Sequence, residues 1–192
     1  MTGDSANSNV APASELGVQL VVDAEHFERI VRGGIARAEV SVDIATADFK
    51  AMMVPDGTRR SARSIVELFR ALADRGVEIR LLHSGVPTRP ALEALRREIP
   101  TGLTIRRCPR QHAKLVVVDS RAMYVGSANL TGAGLGAKSD GRRNFEMGFW
   151  THATGLIDRA LEHFNALWEG HRCKECQRKA ICPVPLEEPQ LR

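Results

Sequence analysis

The chain has 192 residues, of which 43% are hydrophobic and 26% are charged. This composition is typical of a soluble globular protein, and the length suits one ordinary domain whose core needs no disulfides. It excludes a chain that is disordered throughout, and the apolar runs are too short to cross a bilayer as helices. The 27 Lys and Arg residues exceed the 23 Asp and Glu residues by four, a balance that allows an anionic substrate without requiring one.

The chain is expected to divide into three segments. Residues 1–16 are small and polar and lack the regions of a secretory signal, so they are expected to be a disordered tail of a cytoplasmic protein. Residues 17–168 are expected to form the main folded domain. Residues 169–192 are rich in Cys and Pro and are expected to form a tail packed on that domain.

Strands and helices are predicted to alternate along the N-terminal half. A strand over 17–22 precedes a helix that Asp23 caps and that runs to about Ala38. A second strand spans 40–44, and a loop spans 48–60. Ser64 and Glu67 have the spacing of a capping box, which predicts a helix that ends at Gly76. The next predicted elements are a strand at 77–83, a loop at 85–90, a helix at 91–98 and a strand at 103–107.

The C-terminal half is predicted to continue the alternation. Two adjacent strands are expected at 112–119 and 122–126, separated by a tight turn. A Gly-rich loop at 131–141 then leads to a strand at 144–150 and a last helix at 154–168. Alternation in both halves predicts an α/β fold, namely an αβα sandwich in which helices cover both faces of a mixed β-sheet.

Polar residues gather around the two adjacent strands. Residues two apart on a strand point the same way, so His112 and Lys114 should project together, while Asp119 has the opposite parity. The second strand returns antiparallel and brings Ser127 and Asn129 back towards them. An imidazole, an ammonium, a hydroxyl and a carboxamide would then surround one point.

These groups suit phosphoryl chemistry. A neutral His can act as nucleophile or general base, and a protonated His as general acid. Lys and Asn supply hydrogen-bond donors to negative charge that develops on phosphoryl oxygens. Since no carboxylate cluster with metal-ligand spacing accompanies them, the pattern favours catalysis without a metal.

The segment from His112 to Asn129 resembles the HxKxxxxD…GSxN signature of the phospholipase D superfamily. All the signature positions are present, because Asp119 and Gly126 complete the motif. Glu146 resembles the acidic residue that follows the motif in that family. The resemblance implies the family's αβα sandwich over about three quarters of the chain.

The resemblance also implies a mechanism in which two His act on one phosphodiester. One forms a phosphohistidine, the other protonates the leaving oxygen, and water then releases the product. Lys114 and Asn129 would hold the phosphoryl group, Ser127 would assist by hydrogen bonding, Glu146 would orient His112, and Asp119 would support the local fold. The chain has one HxK motif, so a two-fold homodimer with a shared site is expected.

Nucleic acid, most simply DNA, is the favoured substrate class. The chain is compact and has Arg clusters beside the motif that could follow a phosphate backbone. The candidate substrate-binding residues are Arg110, Arg142 and Arg143, with Arg106, Arg107 and Lys138 nearby and Arg59, Arg60 and Arg63 as a weaker set. No membrane association is expected.

Two other functions stay open. One is a phospholipid-directed hydrolase or transferase, and the other is a catalytically silent subunit that binds nucleic acid. Residues 126–136 together with 143–146 also resemble phospholipase D-like proteins encoded with bacterial anti-phage and restriction systems, which would fit a larger defence complex.

Four cysteines predict a structural metal site. Cys173, Cys176 and Cys182 lie within ten residues, and Cys108 precedes the catalytic strand. Cys108 is the favoured fourth ligand and His171 the alternative. The spacing fits zinc, and it also resembles iron–sulfur sites of certain DNA-repair enzymes and CRISPR-associated nucleases. Free thiols in a loose tail are the other interpretation.

Overall fold

A computed structural model describes residues 17–55, 62–97 and 100–188. The predicted disordered tail at 1–16 lies outside the described residues. So do Arg59 and Arg60 of the weaker Arg set, the end of the predicted helix at 91–98, and the last residues of the C-terminal tail.

Seven strands form one mixed sheet in the order β1-β9-β8-β7-β2-β5-β6. The strands β2, β5 and β6 are parallel to one another, and every other neighbouring pair is antiparallel. The strand bounds are β1 Val18–Val22, β2 Ser41–Thr46, β3 Met53–Pro55, β4 Ala62–Ser64, β5 Glu78–His83, β6 Leu103–Arg107, β7 Leu115–Val118, β8 Ala122–Gly126 and β9 Met147–Thr151. The remaining pair, β3 and β4, forms a separate two-stranded sheet.

Helices cover both faces of the large sheet, as predicted. The α-helices are α1 Ile65–Ala73, α2 Arg89–Arg97 and α3 Thr154–Trp168. α1 and α2 pack with Val116 and Val118 of β7 on one face, while α3 packs with Leu115 and Val117 on the other. All four β7 residues are therefore buried, the pattern of a strand covered on both sides. The predicted αβα sandwich is confirmed.

The first predicted helix is wrong in form. In place of an α-helix to Ala38, the chain makes a π-helix at Phe27–Arg32 and a 3-10 helix at Ile35–Arg37. Gly34 lies at the break, where an added Cβ would meet the carbonyl oxygen of Ile30 at 2.7 Å and the Trp150 ring at 2.9 Å. The close packing of the chain on Trp150 therefore interrupts a regular helix. Asp23 has a φ of +44° and does not cap the helix, because its carboxylate accepts the Glu146 N–H instead.

Other predicted bounds hold in part. The capping box is present, with Ser64 and Glu67 each accepting the other's backbone N–H, at 3.1 and 2.5 Å. The predicted loop at 48–60 contains β3, which pairs with β4. The strands predicted at 112–119 and 144–150 begin later, at Leu115 and Met147, so both polar segments that precede them are irregular.

The C-terminal tail is attached along β6 and the end of α3. The Arg107 N–H donates to the Glu187 carbonyl at 3.0 Å, which attaches the tail to β6. Arg106 Nη1 donates to the Trp168 carbonyl at 2.6 Å, which holds the end of α3 from which the tail leaves. Leu186 packs against the cluster under α3. No helix in the described part of the chain is long and apolar enough to cross a membrane.

Candidate active site

The candidate residues meet at one end of the sheet. His112 and Lys114 directly precede β7, Ser127 and Asn129 directly follow β8, and Glu146 directly precedes β9. β8 is antiparallel to both of its neighbours, so the start of β7, the end of β8 and the start of β9 lie side by side. The order of the strands thus brings these polar groups together at one end of the sheet.

His112 and Lys114 lie directly against each other. Lys114 Nζ is 3.2 Å from His112 Nδ1 and donates to the His112 carbonyl at 2.8 Å. The Gly126 N–H donates to the Lys114 carbonyl at 3.1 Å, which ties this segment to the end of β8. Because Leu115 to Val118 are buried, the core fixes β7, and the exposed imidazole projects from the segment directly before it. An ammonium and an imidazole placed in this way can address the same phosphoryl group.

The side-chain amide of Asn129 is held by its oxygen, which leaves its nitrogen available to a ligand. Its Oδ1 accepts from the Ala47 N–H at 3.1 Å, from the Asp48 N–H at 3.2 Å and from Thr46 Oγ1 at 3.2 Å. Backbone N–H groups can only donate, so they settle which end of the amide is the oxygen. Nδ2 makes no hydrogen bond within the described residues and is available as a donor.

Ser127 and Glu146 are bonded to each other. Ser127 Oγ donates to the Glu146 carboxylate and accepts the Met147 N–H at 3.0 Å. Asn144 Nδ2 donates to the same carboxylate at 2.9 Å. The predicted contact in which Glu146 orients His112 is absent within the described chain. The physical reason is that Ser127 and Asn144 occupy both oxygens of the Glu146 carboxylate, on the far side of β8 from His112.

Gly126 is required by close packing. A Cβ at this position would lie 2.6 Å from the Gly148 Cα and 2.7 Å from the Met147 carbonyl oxygen. These two glycines face each other across β8 and β9. Since both contacts are with backbone, no side-chain movement can relieve them.

Asp119 lies at the far end of β7 from His112 and takes no part in this cluster. Its carboxylate accepts the backbone N–H groups of Glu39, Val40 and Ser41, the last two at 2.7 and 2.9 Å. Burial acts to raise the pKa of Asp119, but these amide hydrogen bonds outweigh it and the pKa is lowered. The residue closes the turn before β2.

A buried network behind the Ser127 loop was missed by the sequence reasoning. His26 Nδ1 lies 2.9 Å from the Asp23 carbonyl, His26 Nε2 lies 2.9 Å from the Tyr124 hydroxyl, and the Ala128 N–H donates to that hydroxyl at 3.2 Å. If His26 is neutral with its proton on Nδ1, Nδ1 donates to the Asp23 carbonyl and Nε2 accepts from the Tyr124 hydroxyl. That hydroxyl in turn accepts from the Ala128 N–H, so each polar group has a partner. Burial lowers the pKa of His26 and raises that of Tyr124 to about 12. A lone His before an irregular helix carries no sequence signal for this role.

The three predicted substrate-binding arginines differ in the groups to which their side chains are bonded. Arg143 forms an ion pair with Asp140, and Arg142 Nε donates to Ser139 Oγ at 3.1 Å. Both side chains are thus tied into their own turn. Arg110 instead reaches the C-terminal tail, where backbone hydrogen bonding from Arg178 and a side-chain hydrogen bond from Arg110 lower the pKa of Cys176.

The nearby basic residues are mainly structural. Besides its bond to Trp168, Arg106 lies over that residue's ring at 4.7 Å, and Arg107 Nε donates to the Ser84 carbonyl at 3.1 Å. Arg63 is partly buried in β4, which pairs with β3.

The described structure does not support the predicted metal centre. Cys108, Cys173, Cys176 and Cys182 line one cavity together with His171. Within the described ranges, however, no group of three or more His, Cys, Asp or Glu side chains is arranged to hold a metal ion. The thiols lie near one another, since burial and then the neighbouring thiols Cys108, Cys182 and Cys176 raise the pKa of Cys173. Cys182 Sγ, however, lies 3.7 Å from the Val184 carbonyl oxygen. The predicted zinc or iron–sulfur site is therefore not supported by the described structure.

The chain is similar in fold to known structures. Nuc from Salmonella typhimurium, described as a phospholipase D family member, has 24% identity and a TM-score of 0.60, over 79% of this chain and 93% of that one. NucT from Helicobacter pylori has 18% identity and a TM-score of 0.59, over 79% and 95%. The archaeal chromatin protein TrmBL2, whose description includes a novel mode of DNA binding, has 15% identity and a TM-score of 0.53, over 84% and 55%.

The family match rests on sequence. No curated protein matches the chain. The family model described as "Cardiolipin synthase, PLD-like domain" matches residues 31–168, which include the whole predicted signature and most of the large sheet. The chain therefore belongs to the phospholipase D-like family of phosphodiesterases.

Proposed function

We propose that the protein is a homodimeric endonuclease, most simply of DNA, that works through a phosphohistidine intermediate and needs no divalent metal. The observation that carries the proposal is the exposed His112 imidazole with Lys114 Nζ 3.2 Å away. Asn129 Nδ2 offers a further donor at the same edge of the sheet. Nucleophile and phosphoryl-binding groups are thus supplied by side chains alone.

The reaction has two steps. A ring nitrogen of His112 attacks phosphorus and forms a P–N bond as the P–O bond to the leaving strand breaks. A second imidazole gives its proton to the leaving oxygen. The same imidazole then takes a proton from water, whose oxygen attacks phosphorus, and the P–N bond breaks to restore His112.

The other motif residues hold or position groups in this scheme. Lys114 and Asn129 Nδ2 donate to the nonbridging oxygens, on which negative charge grows in the transition state. Ser127 and Glu146 act as one hydrogen-bonded pair that fixes the loop after β8. Gly126 allows the close approach of β9, and Asp119 holds the remote end of β7.

The second imidazole is proposed to come from a second copy of the chain. His26 and His83 are buried, and His152 contacts the Arg121 carbonyl at the other end of the sheet. An exposed apolar face also borders Ser127 and Glu146. It lies on β1, β8 and β9 and includes Phe145 directly before β9. Its members are Leu20, Val22, Val125, Phe145, Met147 and Phe149. A contiguous apolar surface of this kind is typical of a protein interface.

The experiment is cleavage of plasmid DNA and single-stranded oligonucleotides in excess EDTA by the wild type and by His112→Asn. We expect cleavage by the wild type and none by the variant, with a 32P-labelled protein intermediate that is stable in base and labile in acid. Folding and dimerisation of both proteins are checked by circular dichroism and light scattering. A folded dimer that cleaves no nucleic acid would refute the endonuclease and, if it binds DNA, would indicate a silent subunit.

A monomeric active enzyme would refute the shared site. The competing arrangement supplies the second imidazole from the same chain, since His163 and His171 line a cavity with His112. His163→Gln and His171→Gln are therefore compared with the wild type. If the proposal is correct, both variants cleave a short diester at the single-turnover rate of the wild type.

A phospholipid-directed activity is the second candidate, because the description of the matched family model names cardiolipin synthase. Hydrolysis or transfer on phosphatidylglycerol vesicles, lost in His112→Asn, would support it over the endonuclease.

A further inference from the structure

A cavity of about 990 Å³ lies between the segment before β7 and the C-terminal tail. One wall is the segment 107–113, which includes His112, and the other is formed by tail residues between 171 and 186. The Arg107 N–H bond to the Glu187 carbonyl and the packing of Leu186 hold the tail in place. The tail lies beyond the matched family domain, which ends at residue 168. The catalytic scheme uses one wall of this cavity and leaves the other without a role.

The tail wall is strongly basic. Four exposed cationic residues, called here the tail cations, line it: Arg172, Lys174, Arg178 and Lys179. Arg110 adds a positive charge from the opposite wall, where Arg107 pairs with Glu187 at 3.8 Å, and Glu175 is the one carboxylate in the lining. Among the described residues, none of the tail cations forms an ion pair with a carboxylate. Like charges that share a cavity repel one another, and a polyanion in it would relieve that repulsion.

The lining also indicates the kind of polyanion. It contains no Phe, Tyr or Trp, so stacking of bases on aromatic rings is not available there. Contacts would be made through phosphates and would be tolerant of sequence. Because His112 lies in the same lining, a strand with its scissile phosphate at His112 would place neighbouring phosphates against the tail.

We infer that the C-terminal tail is a second binding wall of the active site, which holds the phosphate backbone of a polynucleotide strand on one side of the scissile bond. This inference rests on the proposed function and adds to it the residues that distinguish a polynucleotide from a small diester. Arg110 lines the same cavity from the segment that carries His112.

The test compares two variants with equal loss of charge. The first changes all four tail cations to Gln. The control changes four arginines that do not line the cavity, Arg29, Arg32, Arg37 and Arg121, to Gln. Arg29 lines a hollow beside β1, which is the opposite edge of the sheet from β6. Both variants carry His112→Asn so that binding is measured without turnover.

Binding of a fluorescent 20-nucleotide single strand is followed by anisotropy from 50 to 300 mM salt. For the tail variant we expect at least about tenfold weaker binding near 0.1 M salt and a salt slope that is lower by up to about 3, since each phosphate contact on a single strand contributes about 0.7. The control should retain the affinity and slope of the His112→Asn parent within about twofold. Thermal unfolding confirms that both variants fold.

Three results would overturn the inference. They are unchanged oligonucleotide binding in the tail variant, equal weakening in both variants, and loss of binding to phosphatidylglycerol vesicles with oligonucleotide binding retained. Hydrolysis of bis(4-nitrophenyl) phosphate by the wild type is measured separately. Its absence would count against the proposed catalysis, while the binding result still decides the role of the tail.

Discussion

Asp119→Ala should destabilise the protein without removing a group from the active site. Asp119 lies at the end of β7 opposite His112, and its carboxylate accepts three consecutive backbone N–H groups, those of Glu39, Val40 and Ser41. These bonds join the turn after β7 to the start of β2, a neighbouring central strand. Removing the carboxylate leaves all three amides to be satisfied by water or by nothing.

The magnitude follows from the exposure of those amides. A hydrogen bond to a charged group contributes about 1.5–3 kcal/mol when its surroundings are dry. Glu39 and Val40 are exposed, so water can replace the carboxylate at two of the three amides. We therefore expect Asp119→Ala to lower the free energy of unfolding by about 2–3 kcal/mol and Asp119→Asn by about 1 kcal/mol, because the Asn amide keeps one acceptor.

Urea denaturation measures the loss, and kcat on a short diester is measured below the midpoint of unfolding. The matched control is Asp158→Ala, an exposed carboxylate on α3 with no hydrogen bond in the described structure, whose loss should cost less than about 0.5 kcal/mol. The lowered pKa of Asp119 means that its contribution is present above the unfolded-state pKa and is lost as the pH falls through the folded-state pKa. The reasoning fails if Asp119→Ala has wild-type stability and yet loses its activity.

Three further outcomes are expected. Gly126→Ala should lower the free energy of unfolding by more than about 3 kcal/mol in urea, since the new methyl group meets backbone on β9 and cannot be accommodated; a stable variant would contradict the contact. Phe149→Glu, on the exposed apolar face, should yield a folded monomer by light scattering that lacks endonuclease activity, and an active dimer would remove this face as the interface. Burial lowers the pKa values of His26 and His83, so the free energy of unfolding should fall as the pH drops below about 6.5, by up to about 1.4 kcal/mol per unit for each group; a flat profile between pH 7 and 5 would contradict it.

Much of the fold could be predicted because its elements carry strong local signals. The capping box at Ser64 and the apolar β7 strand were identified from short patterns, and both are present. The helix after Asp23 could not be, because its form depends on Gly34 packing against Trp150 more than one hundred residues later. Helical periodicity reports which face is apolar, and it does not distinguish an α-helix from the π-helix at Phe27–Arg32.

The chemistry of the candidate site was also accessible, because fixed spacing identifies reactive groups. The buried groups that support the site could not be predicted from the sequence. In the sequence Tyr124 has the pattern of an ordinary strand residue. Its hydroxyl, however, joins His26 to the Ala128 N–H in the loop after β8. Such a bond links residues almost one hundred positions apart and leaves no periodic pattern.

Glu146 shows where spacing along the chain stops being informative. Its position after the motif suggests a partner for His112, but a contact between side chains depends on which strands are neighbours. In the sheet, β8 separates β9 from β7, and Ser127 at the end of β8 takes the Glu146 carboxylate. Any influence of Glu146 on His112 within one chain therefore passes through the Ser127 loop. Ser127→Ala should then remove that influence, and the double variant with Glu146→Gln should be no less active than the more impaired single variant.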